Sequence, residues 1–74
     1  DELPTGIDPL TLNAVRKPFK EPGVQHTAET VAQALTISRT TARRYLEYCA
    51  SRHLIIAEIV HGKVGRPQRI YHSG

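Results

Sequence analysis

The sequence predicts a small, mainly α-helical domain of three helices that ends in a β-hairpin. Hydrophobic residues recur at helical spacing up to about residue 53, and after that point the period shortens to that of a strand. Two glycines and a proline then separate two extended runs near the C-terminus. A chain of this size buries only about 60% of its unfolded surface, so we expect one compact core without a deep cleft.

The first helix is predicted to begin with Asp8 as its N-cap and Pro9 at its first position. Its apolar stripe consists of Leu12, Val15 and Phe19. Pro18 lacks a backbone donor and crowds the preceding turn, at a cost of about 3 kcal/mol in a regular helix. We therefore predict that the helix kinks or ends near Lys17, with Phe19 packing from a distorted last turn. Residues 1–6, which are acidic and contain a proline and a glycine, are expected to be the end of a linker from an upstream domain, and residues 7–74 to be the domain itself.

Two more helices are predicted, one from Thr27 as N-cap to about Leu35 and one from Ser38 as N-cap to about residue 53. Val31 and Leu35 should face the core, and Ala28, Ala32 and Ala34 should permit close packing. The third helix should bury Ala42, Leu46, Cys49 and Ala50, with Tyr45 at the margin. Only Thr36, Ile37 and Ser38 connect the pair, and so short a turn makes two helices cross steeply, as in a helix-turn-helix unit.

The C-terminal part predicts strands over 54–60 and 68–71, joined by a hairpin loop with the sequence HGKVGRP. A third, edge strand is expected around 24–26. Three helices followed by a hairpin with a basic loop is the order of a three-helix winged helix-turn-helix fold.

The charge is unevenly distributed along the chain. Residues 1–36 hold three bases and five acids, whereas residues 37–74 hold seven bases and two acids. A polyanion would be attracted to the second half. Arg39 to Leu46 contains no acid, although an ordinary amphipathic helix would normally alternate its charges.

Double-stranded DNA is therefore the predicted partner, with the third helix in the major groove. An arginine there can bind guanine with two hydrogen bonds, a threonine can meet a base edge, and a capped helix N-terminus favours a phosphate. The basic side chains of Lys63, Arg66 and Arg69 would lie along phosphates, and Arg66 could enter a minor groove. The candidate DNA-binding residues are Thr27, Ser38, Arg39, Thr40, Thr41, Arg43, Arg44, Lys63, Arg66 and Arg69. Two alternatives stay open, namely a basic face that is only solvated and a winged-helix module that binds a protein without specific DNA binding.

Other chemistry finds little support. The four histidines are scattered, with no partner at metal-ligand spacing, so neither a metal nor another cofactor is expected. No phosphate-binding loop or activated nucleophile is visible, which predicts that the chain is not an enzyme. The single Cys49 excludes an internal disulfide and, with no export signal, indicates a cytoplasmic setting. No apolar run approaches the roughly 18 residues of a membrane span, so no membrane association is expected.

Three segments, TAETVAQAL, SRTTARRYLEYC and HGKVGRPQRIYHSG, carry a resemblance to a known family. They resemble the C-terminal output domain of bacterial two-component response regulators of the citrate-responsive CitB/DpiA type, over nearly the whole chain from about residue 6 to 74. The resemblance implies a transcription factor with an upstream receiver domain that a membrane sensor kinase phosphorylates on aspartate. It also implies binding to A/T-rich sites in promoters of citrate and dicarboxylate metabolism. Such a protein could bind DNA as a dimer.

The same resemblance implies roles for individual residues. Ser38, Arg39, Thr40 and Arg43 match positions that commonly face the DNA groove. Arg44, Lys63 and Arg66 match contacts to the backbone or the minor groove. Two residues depart from the pattern: Pro18 is unexpected inside the first helix, and Thr36 stands where many relatives have glycine, which is costly if that position requires a positive φ.

Overall fold

A computed structural model describes residues 3–62 and 65–73 and contains the predicted elements in the predicted order. They are α1 (Pro9–Arg16), a single 3-10 turn (Lys17–Phe19), β1 (Gln25–His26), α2 (Ala28–Leu35), α3 (Arg39–Ser51), β2 (Ile56–Val60) and β3 (Gln68–His72). The predicted fold class, three helices with a hairpin, is confirmed. The expected edge strand is present as β1.

Helix α1 begins and ends where its prolines require. The Asp8 side chain accepts a hydrogen bond from the Thr11 backbone N–H at 3.0 Å, which satisfies one of the free donors of the first turn. At the other end the backbone tightens into the 3-10 turn that contains Pro18. Phe19 is nevertheless buried. The predicted distortion near Lys17 is confirmed.

The turn between α2 and α3 contains a strained residue. Thr36, the C-cap of α2, has φ 58° and ψ 46°, which is the left-handed region. This backbone lets the Ile37 N–H donate to the Ala32 carbonyl at 3.0 Å and so closes the last turn of α2. A β-branched residue is costly here, and the cost that the sequence indicated for Thr36 is therefore present.

Helix α3 ends two residues earlier than predicted, at Ser51. His53 adopts φ 61°, and the Leu54 N–H donates to the Cys49 carbonyl at 2.9 Å. The His53 N–H donates to the Ala50 carbonyl at 3.1 Å. Together these bonds form a Schellman motif, which terminates a helix irrespective of the apolar spacing that follows.

The three strands form one antiparallel sheet in the order β1-β3-β2. Tyr71 lies on the middle strand, opposite His26 on one side and Ala57 on the other. Because side chains alternate along a strand, Arg69 and Tyr71 share one face of the sheet. Tyr71 is buried by the helices, so that face is turned towards them.

The core is a single cluster to which all three helices contribute. Its members are Ile7, Leu12, Val15, Phe19, Val31, Ala32, Ala42, Tyr45, Leu46, Cys49, Ile55 and Tyr71. The prediction for Tyr45 is wrong, since its ring is buried and its hydroxyl accepts a hydrogen bond from the Asp8 N–H at 2.8 Å. Ala50 is only half-buried and Ala34 is exposed, so neither takes the full core position expected of it. Leu3 packs against the core.

Candidate nucleic-acid interface

A groove of about 480 Å³ lies between the first half of α3 and the start of β3. Residues from three elements line it: Thr27, Ala28 and Glu29 near the start of α2, Arg39, Thr40 and Arg43 on α3, and Pro67, Gln68, Arg69 and Tyr71 on β3 and the residue before it. The groove therefore brings together five of the predicted DNA-binding residues, which lie up to 42 positions apart in the sequence (27 to 69).

Helix periodicity explains why α3 presents a basic face. Arg39 and Arg43 are four positions apart, so they lie one above the other on the same side of the helix. Ala42, Leu46 and Cys49 lie on the buried side, each without solvent exposure. The arginines are consequently directed away from the core, and both are exposed.

The N-terminus of α3 is closed by Ser38. Its Oγ accepts the Thr41 N–H at 3.0 Å and donates to the Thr41 Oγ1 at 2.8 Å. Thr27 caps α2 in a similar way, because it exchanges hydrogen bonds with Thr30 in a capping box. The hydroxyls of Ser38, Thr41 and Thr27 are therefore engaged in fixing the two helix starts.

Glu47, one turn beyond Arg43, connects α3 to the sheet. The Arg69 Nη2 donates to Glu47 Oε1 at 3.0 Å, and the Arg69 Nε donates to Glu47 Oε2. The Tyr71 hydroxyl donates to the same Oε2 at 2.5 Å. The Arg69 guanidinium carbon lies 5.8 Å from the centroid of the Tyr71 ring. We call Glu47, Arg69 and Tyr71 the α3–β3 cluster.

These contacts shift the proton equilibria of the α3–β3 cluster. The hydrogen bond from Arg69 lowers the pKa of Glu47, against an opposing effect of burial, and the Arg43 charge lowers this pKa further. Burial and the hydrogen bond to Glu47 raise the pKa of Tyr71 to about 12. Near neutral pH the cluster therefore holds an ionised carboxylate, a cationic guanidinium and a neutral phenol.

Four other predicted residues that the structure describes, Ser38, Thr41, Arg44 and Arg66, do not line the groove. The Arg44 side chain passes close to Gly6 in the N-terminal segment. A Cβ added to Gly6 would lie 3.8 Å from the Cδ atom of Arg44. Arg66 is exposed in the hairpin loop. Lys63 lies outside the described residues. The expected common surface thus includes Arg39, Arg43 and Arg69, while Arg44 lies towards a different part of the molecule.

The sequence reasoning missed Gln68 and the role of Glu47. Gln68 lines the groove at the start of β3, beside Arg69. Two signals could have found the α3–β3 cluster: Glu47 is the single acid on α3, and Arg69 and Tyr71 alternate on a strand. Neither signal gives the pairing itself, which depends on how β3 packs against α3.

Other kinds of site find no support among the residues that the structure describes. Within 3–62 and 65–73, no group of three histidine, cysteine or carboxylate side chains is arranged to hold a metal ion. Cys49 is buried, and burial raises the pKa of its thiol, which makes it a poor nucleophile. None of the helices in these ranges is long and apolar enough to cross a bilayer.

The three helices, the short turn before α3 and the β2–β3 hairpin define a winged helix-turn-helix domain, a class that binds DNA. Residues 10–74 match the model of the DpiA-like helix-turn-helix domain. The chain belongs to this family, which is a family of transcriptional regulators and not of enzymes.

Several relatives support the assignment. The chain is 99% identical over its full length to the transcriptional regulatory protein DpiA of Escherichia coli K12, of which it spans 33%. It is 52% identical to the transcriptional regulatory protein CitB of Klebsiella pneumoniae over 92% of the chain and 29% of that protein. A protein of Bacillus subtilis named a probable C4-dicarboxylate response regulator, DctR, is 41% identical over 95% of the chain and 31% of its own length. The chain thus spans about one third of the length of these relatives.

One solved structure has the same fold. It is described as a possible transcriptional regulator from Methanosarcina mazei Go1, and it superposes with a TM-score of 0.76 over 92% of this chain and 57% of its own. The two sequences are 15% identical, so this likeness concerns the fold alone.

Proposed function

We propose that this domain reads DNA sequence by inserting the first half of α3 into the major groove. In this arrangement Arg39, Thr40 and Arg43 meet base edges, and the hairpin loop lies on the flanking backbone or minor groove. The N-termini of α2 and α3, closed by Thr27 and Ser38 with Thr41, face phosphates. Arg44 and Lys63 contribute backbone contacts at the periphery, with Arg66 on the backbone or in the minor groove.

The observation that carries this proposal is the groove itself. It combines two exposed arginines on one helix face with the hydroxyl side chain of Thr40. Cations supply attraction to any phosphate backbone, whereas amides, hydroxyls and guanidinium forks distinguish base pairs. A face that was only solvated would not need both kinds of group around one concave surface.

We further propose that the domain is the output part of a cytoplasmic two-component response regulator. The relatives are about three times as long as the chain, and one is named as a response regulator for C4-dicarboxylates. A receiver domain upstream, phosphorylated by a sensor kinase, would then control access to A/T-rich promoters of citrate and dicarboxylate genes, with the domain acting as a dimer on DNA. In this role the domain carries out no reaction and needs no cofactor.

The test begins with a DNA duplex selected by this chain from a random-sequence pool, and a shuffled duplex of the same composition. Arg39→Ala and Arg43→Ala should each weaken binding to the selected duplex by about 1–3 kcal/mol and relax the preference at particular base pairs. The measurement is a fluorescence-anisotropy titration of each variant with both duplexes at several salt concentrations.

Arg66→Ala is the matched control, because it removes the same side chain from the loop. It should weaken binding to both duplexes alike and reduce the slope of log K against log salt by about 0.9, the value for one phosphate contact. If Arg39→Ala and Arg43→Ala left the affinity for the selected duplex unchanged, α3 would not be the reading element.

One observation favours a second candidate, a protein-binding module. The wing, which consists of β2 and β3 with the loop that joins them, exposes large apolar side chains. Ile56 is 46% exposed, Ile59 57% and Val60 43%. An exposed apolar surface is typical of a protein contact. This alternative predicts weak DNA binding that does not respond to salt, so the same titration separates the two.

A further inference from the structure

The α3–β3 cluster holds one of the basic side chains of the groove in an ion pair. Arg69 lines the groove, yet its guanidinium is bound with two hydrogen bonds to a carboxylate. An arginine that served only to attract phosphates would not need a carboxylate partner on α3. The side chains of Arg69 and Glu47 are 36% and 39% exposed, so both charges lie at the edge of the groove.

The contacts of Glu47 join two elements whose relative position sets the shape of the groove. Among the described residues, the three hydrogen bonds that the Glu47 side chain accepts come from β3, across 22 or 24 positions of sequence. Gln68, which lines the groove, is the residue next to Arg69 on that strand. A change in the distance between α3 and β3 would therefore move Gln68 relative to Arg39 and Arg43.

Glu47 also changes the charge of the groove. The carboxylate neutralises Arg69 at close range and lies one turn from Arg43. Fewer free cations mean less attraction to DNA of any sequence, because that attraction grows with the number of phosphates neutralised. A groove of fixed shape keeps its contacts to the correct base pairs, whereas fewer free cations weaken binding to every sequence. The difference in affinity between the correct sequence and all others therefore increases.

We propose that Glu47 is a positioning residue for DNA discrimination: it holds β3 against α3 and withholds the Arg69 charge from the phosphate backbone. This inference rests on the proposed reading of DNA by α3. It assigns Arg69 to the α3–β3 cluster rather than to the phosphate contacts expected from the sequence.

The test is Glu47→Gln, measured with the selected and the shuffled duplexes over a range of salt concentrations. The variant frees the Arg69 charge, so the shuffled duplex should bind more tightly, with a salt slope steeper by about 0.9. The ratio of the affinities for the two duplexes should fall about tenfold, comparable to one lost base contact. A loss of fold alone would weaken binding to both duplexes and could not steepen the slope.

Glu58→Gln is the matched control. Glu58 is the other acid of the basic half, and it lies on β2, opposite Ile70 and so on the sheet face away from the α3–β3 cluster. Its neutralisation makes the same change in net charge but leaves Arg69 bound. We expect a salt slope and an affinity ratio close to those of the unaltered chain.

The double variant Glu47→Gln, Arg69→Gln keeps the inference testable if the single variant unfolds. It removes one negative and one positive charge together, so its salt slope should equal that of the unaltered chain. The ratio of its affinities for the selected and the shuffled duplex should be as low as in Glu47→Gln. A slope that is shallower by about 0.9 would show that Arg69 binds a phosphate in the complex, and the inference would be wrong.

Unchanged discrimination in Glu47→Gln, while Arg43→Ala still loses it, would overturn the role of Glu47 alone. Discrimination that survives in Arg39→Ala and Arg43→Ala would instead overturn the reading by α3, and with it both proposals.

Discussion

The helix-turn-helix unit and the wing are held together by different forces. Helices α2 and α3 contribute six of the twelve residues in the buried cluster, whereas strands β2 and β3 contribute only Tyr71. Most large side chains of β2 are exposed. The wing is joined to the helices by Tyr71, by the small side chain of Ala57, which packs against the buried cluster, and by the polar contacts of the α3–β3 cluster.

This difference separates stability from placement. Apolar burial supplies most of the free energy of folding and has no direction, whereas hydrogen bonds and ion pairs add little net energy but fix geometry. The helices should therefore determine whether the domain folds, and the α3–β3 cluster should determine where the wing lies.

The largest effect is expected from Leu46→Ala in α3. Leu46 has no solvent exposure, and truncating a buried leucine typically costs about 2–5 kcal/mol. That is a large part of the stability of a small domain, which is of the order of 5–15 kcal/mol. Urea denaturation followed by circular dichroism measures the loss.

Ile59→Ala is the matched control in the wing. Ile59 is 57% exposed, and we expect a loss of about 0.5 kcal/mol or less. Equal losses at the two positions would mean that the wing has an apolar core of its own and is not held mainly by its contacts with the helices.

The next effect concerns the turn that joins α2 to α3. Thr36→Gly should raise the free energy of unfolding by about 0.5–1 kcal/mol. A left-handed backbone costs a β-branched residue about 1–2 kcal/mol, and glycine removes this cost. The greater conformational freedom of glycine in the unfolded chain offsets part of the gain. His53 has nearly the same φ, 61°, but histidine tolerates this region better. His53→Gly should therefore gain less, and the reverse ranking in thermal unfolding would contradict the account of strain at Thr36.

The same contrast explains what the sequence could predict. Helix starts, the distortion at Pro18 and the strained Thr36 depend on neighbours a few positions away, so propensity and spacing reveal them. The hydrogen bond between Asp8 and Tyr45 spans 37 positions, and that between Glu47 and Tyr71 spans 24. Such pairs form only after the chain has folded, which is why Tyr45 was placed at the margin and the α3–β3 cluster was missed. Within the basic face, the arginines of α3 were predictable from periodicity, but the ion pair of Arg69 was not.

The smallest effect is a dependence of stability on pH that belongs to the α3–β3 cluster. The hydrogen bond from Arg69 lowers the pKa of Glu47 below its ordinary value of 4.5, so the folded state binds this proton less readily than the unfolded state. Its contribution is therefore fully present above about pH 4.5 and is lost as the pH falls below that value towards the lowered pKa. Since the carboxylate is 39% exposed, solvent screens the pair, and we expect less than about 1 kcal/mol.

The measurement is urea denaturation of the unaltered chain and of Glu47→Gln between pH 3 and 7, with the two free energies subtracted at each pH. The difference isolates Glu47, because the other carboxylates titrate in both proteins. It should be constant above about pH 5 and shrink as the solution is acidified through the ordinary pKa of 4.5. A difference for Glu47 that stayed constant, or grew, on acidification would mean that the ion pair does not fasten the wing to α3 in solution. The contrast between an apolar helical unit and a wing attached by polar contacts would then lose its main support.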